Sequence, residues 1–119
     1  MRRPTAVISE NVQLRDEYVK TLRRRRKPAI DGEASEIARI AGELPLGAIV
    51  FEVTEPRHWQ VCRMLRASPA LADTPLIVLG GGAEHASNAR LARELGCVAY
   101  VHEPVTLAVV LEVVERLGR

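Results

Sequence analysis

Short apolar runs alternate with longer segments of helical period along the whole chain, and this alternation restricts the fold more than any other feature of the sequence. The runs are TAVIS (5–9), a weaker PAID (28–31), AIVF (48–51), PLIVLG (75–80) and VAYV (98–101). They predict five strands. Three are continuous Val/Ile/Leu-rich runs without polar alternation, the pattern of strands covered on both faces by helices. Between the runs, Leu14, Tyr18 and Leu22 recur every four residues, and Ala34, Ile37, Ala41 and Leu44 follow one helical face. Val61 with Leu65 and Ala92 with Leu95 repeat that spacing. Pro28, then Gly42 with Pro45, then SPALADTP and finally Gly96 supply the helix stops, and TLAVVLEVVERLG runs from Thr106 as N-cap to Gly118. Five strands, each followed by a helix, predict an α/β domain with a doubly wound parallel sheet, right-handed crossovers and five helices. Functional groups in such sheets gather at the carboxyl ends of the strands.

With 119 residues, 47% of them hydrophobic, the chain is expected to form a single domain spanning 1–119 with a real core. A net charge of +2 is too weak a basic balance to indicate nucleic acid as a partner. Cys62 and Cys97 lie in apolar surroundings without metal-type spacing, as in intracellular proteins. No run approaches the roughly 18 apolar residues of a membrane span, so a cytoplasmic, non-membrane protein is expected. Arginine outnumbers lysine and alanine is abundant, a bias associated with GC-rich bacterial genomes.

The expected functional edge collects Ser9 and Glu10 after the first strand, Glu52 after the third, Gly80 after the fourth, and His102, Glu103 and Pro104 after the fifth. AVISENVQLR, AIVFEVTEPRHWQVCRMLRASPALADTPLIVLG and ARELGCVAYVHEP resemble the receiver domain of bacterial two-component response regulators over essentially the whole chain. The resemblance implies a flavodoxin-like fold. It also implies a phosphorylated Asp at the third strand's end, two acids holding Mg²⁺ after the first strand, a Ser or Thr after the fourth, and a Lys before a Pro after the fifth. Those positions fall on Glu52, Ser9 with Glu10, Gly80 and Glu103, so nearly every one is replaced. A one-residue slip in the first strand would make the pair Glu10 and Asn11, which still leaves one acid.

Phosphoryl transfer to a carboxylate depends on positioning and on charge cancellation by a metal and a cationic donor. Glu52 is one methylene longer than Asp, and a displacement of about 1 Å can cost about a hundredfold in rate. Glu103 brings negative charge where a cation is needed, and Gly80 has no hydroxyl. The set therefore reads as a vestigial phosphorylation pocket, with no catalytic residue, no bound metal and no cofactor. Glu52 is either satisfied by loop amides, Ser9 or Arg57, or its length imitates a phosphorylated Asp.

Other features are less specific. GGG at 80–82 could cradle an anion, but lacks a nucleotide-binding signature. RRRRK at 23–27 suits a helix C-terminus. His58 and Cys62, four apart, have no second pair to complete a metal site. Trp59 either fills core or anchors a partner. On the last helix Leu107, Val110, Leu111, Val114 and Leu117 form one stripe, and Val109 and Val113 widen it beyond a single face. In receivers the fourth helix, fifth strand and fifth helix form a common partner surface, and Tyr100 matches the aromatic switch position there.

The expected function is that of a phosphorylation-independent pseudo-receiver, a non-enzymatic protein-interaction or dimerisation module in bacterial signalling. Its expected interface is Tyr100, Val109, Val113 and Trp59, facing a protein partner, an output domain or a second copy. The alternatives are a working phosphoacceptor using Glu52 with a divalent metal, and an anion- or nucleotide-binding loop at Gly80–Gly82.

Overall fold

A computed structural model describes residues 3–80, 85–102 and 107–117. The elements run β1 (Thr5–Ile8), α1 (Val12–Arg24), β2 (Ala29–Gly32), α2 (Ala34–Ala41), β3 (Ala48–Val53), α3 (Arg57–Ala67), β4 (Leu76–Gly80), α4 (His85–Glu94), β5 (Ala99–His102) and α5 (Leu107–Leu117). All four strand pairings are parallel, in the order β2-β1-β3-β4-β5. The doubly wound α/β expectation holds, with five strands and five helices.

Alternate residues of the central strands feed two separate cores, because successive side chains leave opposite faces of a strand. Ala6, Ile8, Ile49, Phe51, Leu76 and Val78 pack with residues of α2, α3 and α4. Val7, Val50, Ile77 and Leu79 pack with Tyr18, Val19 and Leu22 of α1 and with Val110, Leu111 and Val114 of α5. Burial on both faces explains why β1, β3 and β4 read as uninterrupted apolar runs.

Strand limits shift slightly from the sequence expectation. β3 continues through Glu52 to Val53, because Val53 is buried and pairs in register with Gly80. Glu52 thus belongs to the strand itself. β2 and β5 each begin one residue later than expected, at Ala29 and Ala99, and run on to Gly32 and His102.

Local chemistry accounts for the helix ends. Asn11 caps α1 by accepting the Leu14 N–H at 3.1 Å. Beyond α1, Arg26 takes the left-handed conformation (φ 61°) and the Lys27 N–H returns to the Leu22 carbonyl at 3.0 Å. The basic run also ties elements together: Arg23 donates to the Ala29 carbonyl and Arg25 pairs with Glu115. After α4, Gly96 (φ 71°) makes the same kind of stop, with the Cys97 N–H on the Ala92 carbonyl at 3.0 Å. Arg66 of α3 fastens two loops at once, donating to the carbonyls of Thr74 (2.6 Å), Leu95 (3.1 Å) and Gly96 (3.1 Å).

Candidate functional site: the carboxyl edge of β1, β3 and β4

In-register pairing of β1 with β3 brings Ser9 level with Glu52 at the sheet's carboxyl edge. The Ser9 hydroxyl donates to Glu52 Oε1 at 2.6 Å and accepts the Asn11 N–H at 2.9 Å. A hydroxyl has one proton, so that proton is committed to the carboxylate. Glu52 is 8% exposed and Ser9 6%. Of the partners foreseen for Glu52, the structure selects Ser9.

Glu10 is engaged elsewhere. Arg57 Nη2 reaches both of its carboxylate oxygens at 2.7 Å, and Arg57 Nε bonds Glu55. These partners are more than half exposed, so the pairs contribute modestly to stability. The Arg57 guanidinium holds the Glu10 carboxyl below the ordinary carboxylate range. Any resulting stabilisation is present above that range and is lost as pH falls through the lowered value. Arg57→Ala should move the Glu10 midpoint up towards the ordinary value in a side-chain carboxyl NMR titration. An unmoved midpoint would show that the pair does not persist in solution.

His58 fixes the β3–α3 loop. It is 5% exposed, and its Nδ1 faces the N–H groups of Thr54 (3.0 Å) and Glu55 (3.2 Å). Two donors aimed at Nδ1 require a lone pair there, which places the ring proton on Nε2. Nε2 lies 3.1 Å from Glu10 Oε1 but off the line of a hydrogen bond.

Glu10, Glu55 and His58 form the one convergent group of potential metal ligands among the described residues. The donor set does not suit a metal. His58 Nε2 carries the proton that a ligand nitrogen must lack, and Arg57 already bridges the two carboxylates. The Mg²⁺ implied by the family fits no better. Glu52 is bound to Ser9, Glu10 to Arg57, and Asn11 is occupied as a helix cap, whereas a hard cation wants six oxygens.

Gly80 is overlain by Tyr100. A Cβ at Gly80 would lie 2.8 Å from Tyr100 Oη and 2.9 Å from Cε1, so the ring uses the space a Ser or Thr side chain would need. Tyr100 is half-buried, Val109 is 43% exposed, and Val113 packs partly against the α1–α5 core. Trp59 requires correction as an interface residue. It is 4% exposed, and its indole N–H donates to Asn88 Oδ1 at 3.2 Å, joining α3 to α4 inside the core. Glu103, Gly81 and Gly82 lie outside the described residues. Burial pushes the Cys62 thiol up to about 12 and that of Cys97 to about 11, so neither is a ready nucleophile.

Arg57 and His58 are the site residues that sequence reasoning placed wrongly or passed over. EPRH following a strand marks a tight loop into a helix, but the 47-residue separation of Arg57 from Glu10 leaves no local signal.

Neither a protein-family model nor a curated protein matches this sequence. Solved structures do. A response regulator receiver protein from Pseudomonas putida superposes with a TM-score of 0.83 at 24% identity, over 98% of this chain and 98% of that one. The chemotaxis response regulator CheY4 of Vibrio cholerae gives a TM-score of 0.80 at 13% identity, over 98% of this chain and 99% of its own. The receiver domain of a sensor histidine kinase from Pseudomonas aeruginosa, which has magnesium coordinated in its active-site cleft, gives 0.79 at 16% identity over 100% of both chains. The chain has the fold of response-regulator receiver domains.

Proposed function

We propose that this chain is a phosphorylation-independent pseudo-receiver that acts as a protein-interaction module in bacterial signal transduction. The observation that carries this reading is Glu52: at the position of the family's phosphorylated Asp stands a longer, buried carboxylate closed onto the Ser9 hydroxyl. Gly80 beneath the Tyr100 ring supports it, since no hydroxyl is there to follow a phosphoryl group. Glu103 in place of the family's Lys adds repulsion where phosphoryl transfer needs a cation. Because the residues expected to hold a metal, supply a cation and supply a hydroxyl are replaced in the sequence, this reading makes the module non-enzymatic. Its location is the cytoplasm; among the described residues no helix is long and apolar enough to cross a membrane.

The interaction surface in this reading is α4, β5 and α5, where Val109 of α5 is 43% exposed and Val98, just before β5, 50%. Its occupant is an output domain, another protein or a second copy. Changing Val109 and Val113 together to Lys should abolish self-association, with the sedimentation mass falling about twofold from a dimer. If the parent and the variant sediment as the same monomer, self-association through this surface is wrong. A second reading, phosphorylation on Glu52, is favoured by the carboxylate retained at the end of β3 and predicts a covalent adduct.

A further inference from the structure

A cleft of about 640 Å³ lies at the carboxyl ends of β1 and β3, with Ala38 on its α2 wall and Val61 on its α3 wall. That volume is in the range of small-molecule sites. Met64 (72%) and Val12 (62%), the most exposed large apolar side chains among the described residues, also line it. So do Ala34 and Ser35, the first two residues of α2, a helix end to which Glu33 gives no side-chain cap. The walls are mostly apolar, so the few polar groups they carry decide what fits.

Two of those groups are buried donors that make no hydrogen bond among the described residues. His58 Nε2 carries the ring proton, because Nδ1 accepts the Thr54 and Glu55 N–H groups, and the side chain is 7% exposed. Arg15 Nε is the other. Each is covered by a surface carboxylate that comes near without bonding it. Glu10 Oε1 lies 3.1 Å from His58 Nε2 but off line, and Asp31 Oδ2 lies 3.6 Å from Arg15 Nε, too far for a hydrogen bond. The Glu10 and Asp31 side chains are 58% and 40% exposed, so either carboxylate can turn out to solvent at small cost. A buried donor without an acceptor is costly, and a ligand oxygen in the carboxylate's place would satisfy it.

We propose that this cleft binds a neutral, apolar small molecule carrying two carbonyl-type oxygens, one on His58 Nε2 and one on Arg15 Nε, with its apolar body on Val12, Val61 and Met64. The unmet groups are donors, so the ligand must bring acceptors; an ammonium would leave them unmet. The formal charges disfavour an anion. Glu10, Glu33 and Glu52 already outnumber Arg15 and Arg57 along the walls, and a further carboxylate would lie against them. A carbonyl oxygen meets both donors without adding charge. The site makes the domain a receptor for a small molecule, a role beyond the interaction module proposed above and independent of it. A phosphoryl adduct on Glu52 would refute that module's independence of phosphorylation, whereas ligand binding is read separately.

The test is NMR titration of the whole chain with three compounds that share one acyl chain: neutral N-hexanoylglycine methyl ester, anionic N-hexanoylglycine and cationic N-hexanoyl ethylenediamine. The ester should bind saturably, shift the His58 Nε2 resonance and the Val61 amide, and bind about tenfold more tightly than either charged compound. Glu10→Ala, an exposed change that uncovers His58 Nε2, should tighten the ester about threefold. Arg15→Leu should weaken it about tenfold, and Ala38→Phe, which fills the cleft from α2, should abolish binding. No saturable shift, charged compounds that bind as tightly as the ester, or an affinity unmoved by Glu10→Ala or by Arg15→Leu would overturn the site. Tighter binding of the neutral peptide Ac-Ala-Leu-Ala-amide than of the ester would make the occupant a partner's backbone and overturn the small-molecule assignment.

Discussion

Trp59→Ala should destabilise the domain by about 3–5 kcal/mol, the cost of emptying a large aromatic site in a close-packed core. A domain of this size is ordinarily stable by about 5–15 kcal/mol, so the variant would lose a large fraction of its margin. The indole is 4% exposed, packs with Cys62 and Leu65 in the α2–α3–α4 core, and satisfies Asn88, which is itself 8% exposed. Truncation would create a cavity and leave a buried amide oxygen unpaired. Trp59→Phe keeps most of the volume and forfeits the hydrogen bond, which limits its cost to about 1–3 kcal/mol. Urea denaturation followed by circular dichroism separates the two, since the variants lack the single tryptophan fluorophore. A cost below about 1 kcal/mol for Trp59→Ala would mean that the indole is not packed as described.

Gly80→Thr, the change that would restore the family's hydroxyl, should be destabilising by about 1–3 kcal/mol, the range for overpacking a filled site. The new Cβ would meet Tyr100 Oη and Cε1 below 3 Å, so the ring must leave its place over β4. Nuclear Overhauser contacts between the Tyr100 ring and residue 80 should disappear, and Tyr100 should become more exposed. In a Tyr100→Ala background the same substitution should cost much less, because the clashing atoms are gone. Equal costs in both backgrounds would show that the two residues are not coupled.

The architecture was legible because burial on both sheet faces leaves a direct mark on sequence: TAVI, AIVF and LIVLG are buried at every position and, Thr5 apart, carry no polar side chain. The in-strand place of Glu52 was less so, since β3 is prolonged by pairing of Val53 with Gly80, a contact made across the sheet. Trp59 could have faced either way as an aromatic opening a helix. Its inward direction follows from the loop that His58 holds through the Thr54 and Glu55 amides, and from Asn88, 29 residues away in the chain. The excess apolar arc on α5 narrows in the fold, because Val113 finds partial cover against the α1–α5 core while Val109 stays exposed. Among the described residues the most exposed large apolar side chains are Met64 and Val12, and neither belongs to a stripe wide enough to draw notice in the sequence. The departures from the receiver pattern at Ser9, Glu52, Gly80 and Glu103 were plain to read. Their consequences were not, since Arg57 meeting Glu10 and Tyr100 covering Gly80 are both products of tertiary packing.

In the function proposed above, the carboxyl edge of this sheet accepts no phosphoryl group. Its most direct test is intact mass spectrometry of the whole chain after incubation with acetyl phosphate and Mg²⁺, beside a phosphorylatable receiver as positive control. The mass of this chain should stay unchanged under conditions that fully modify the control. A stable single phosphoryl adduct, mapped to Glu52 by fragmentation, would contradict it.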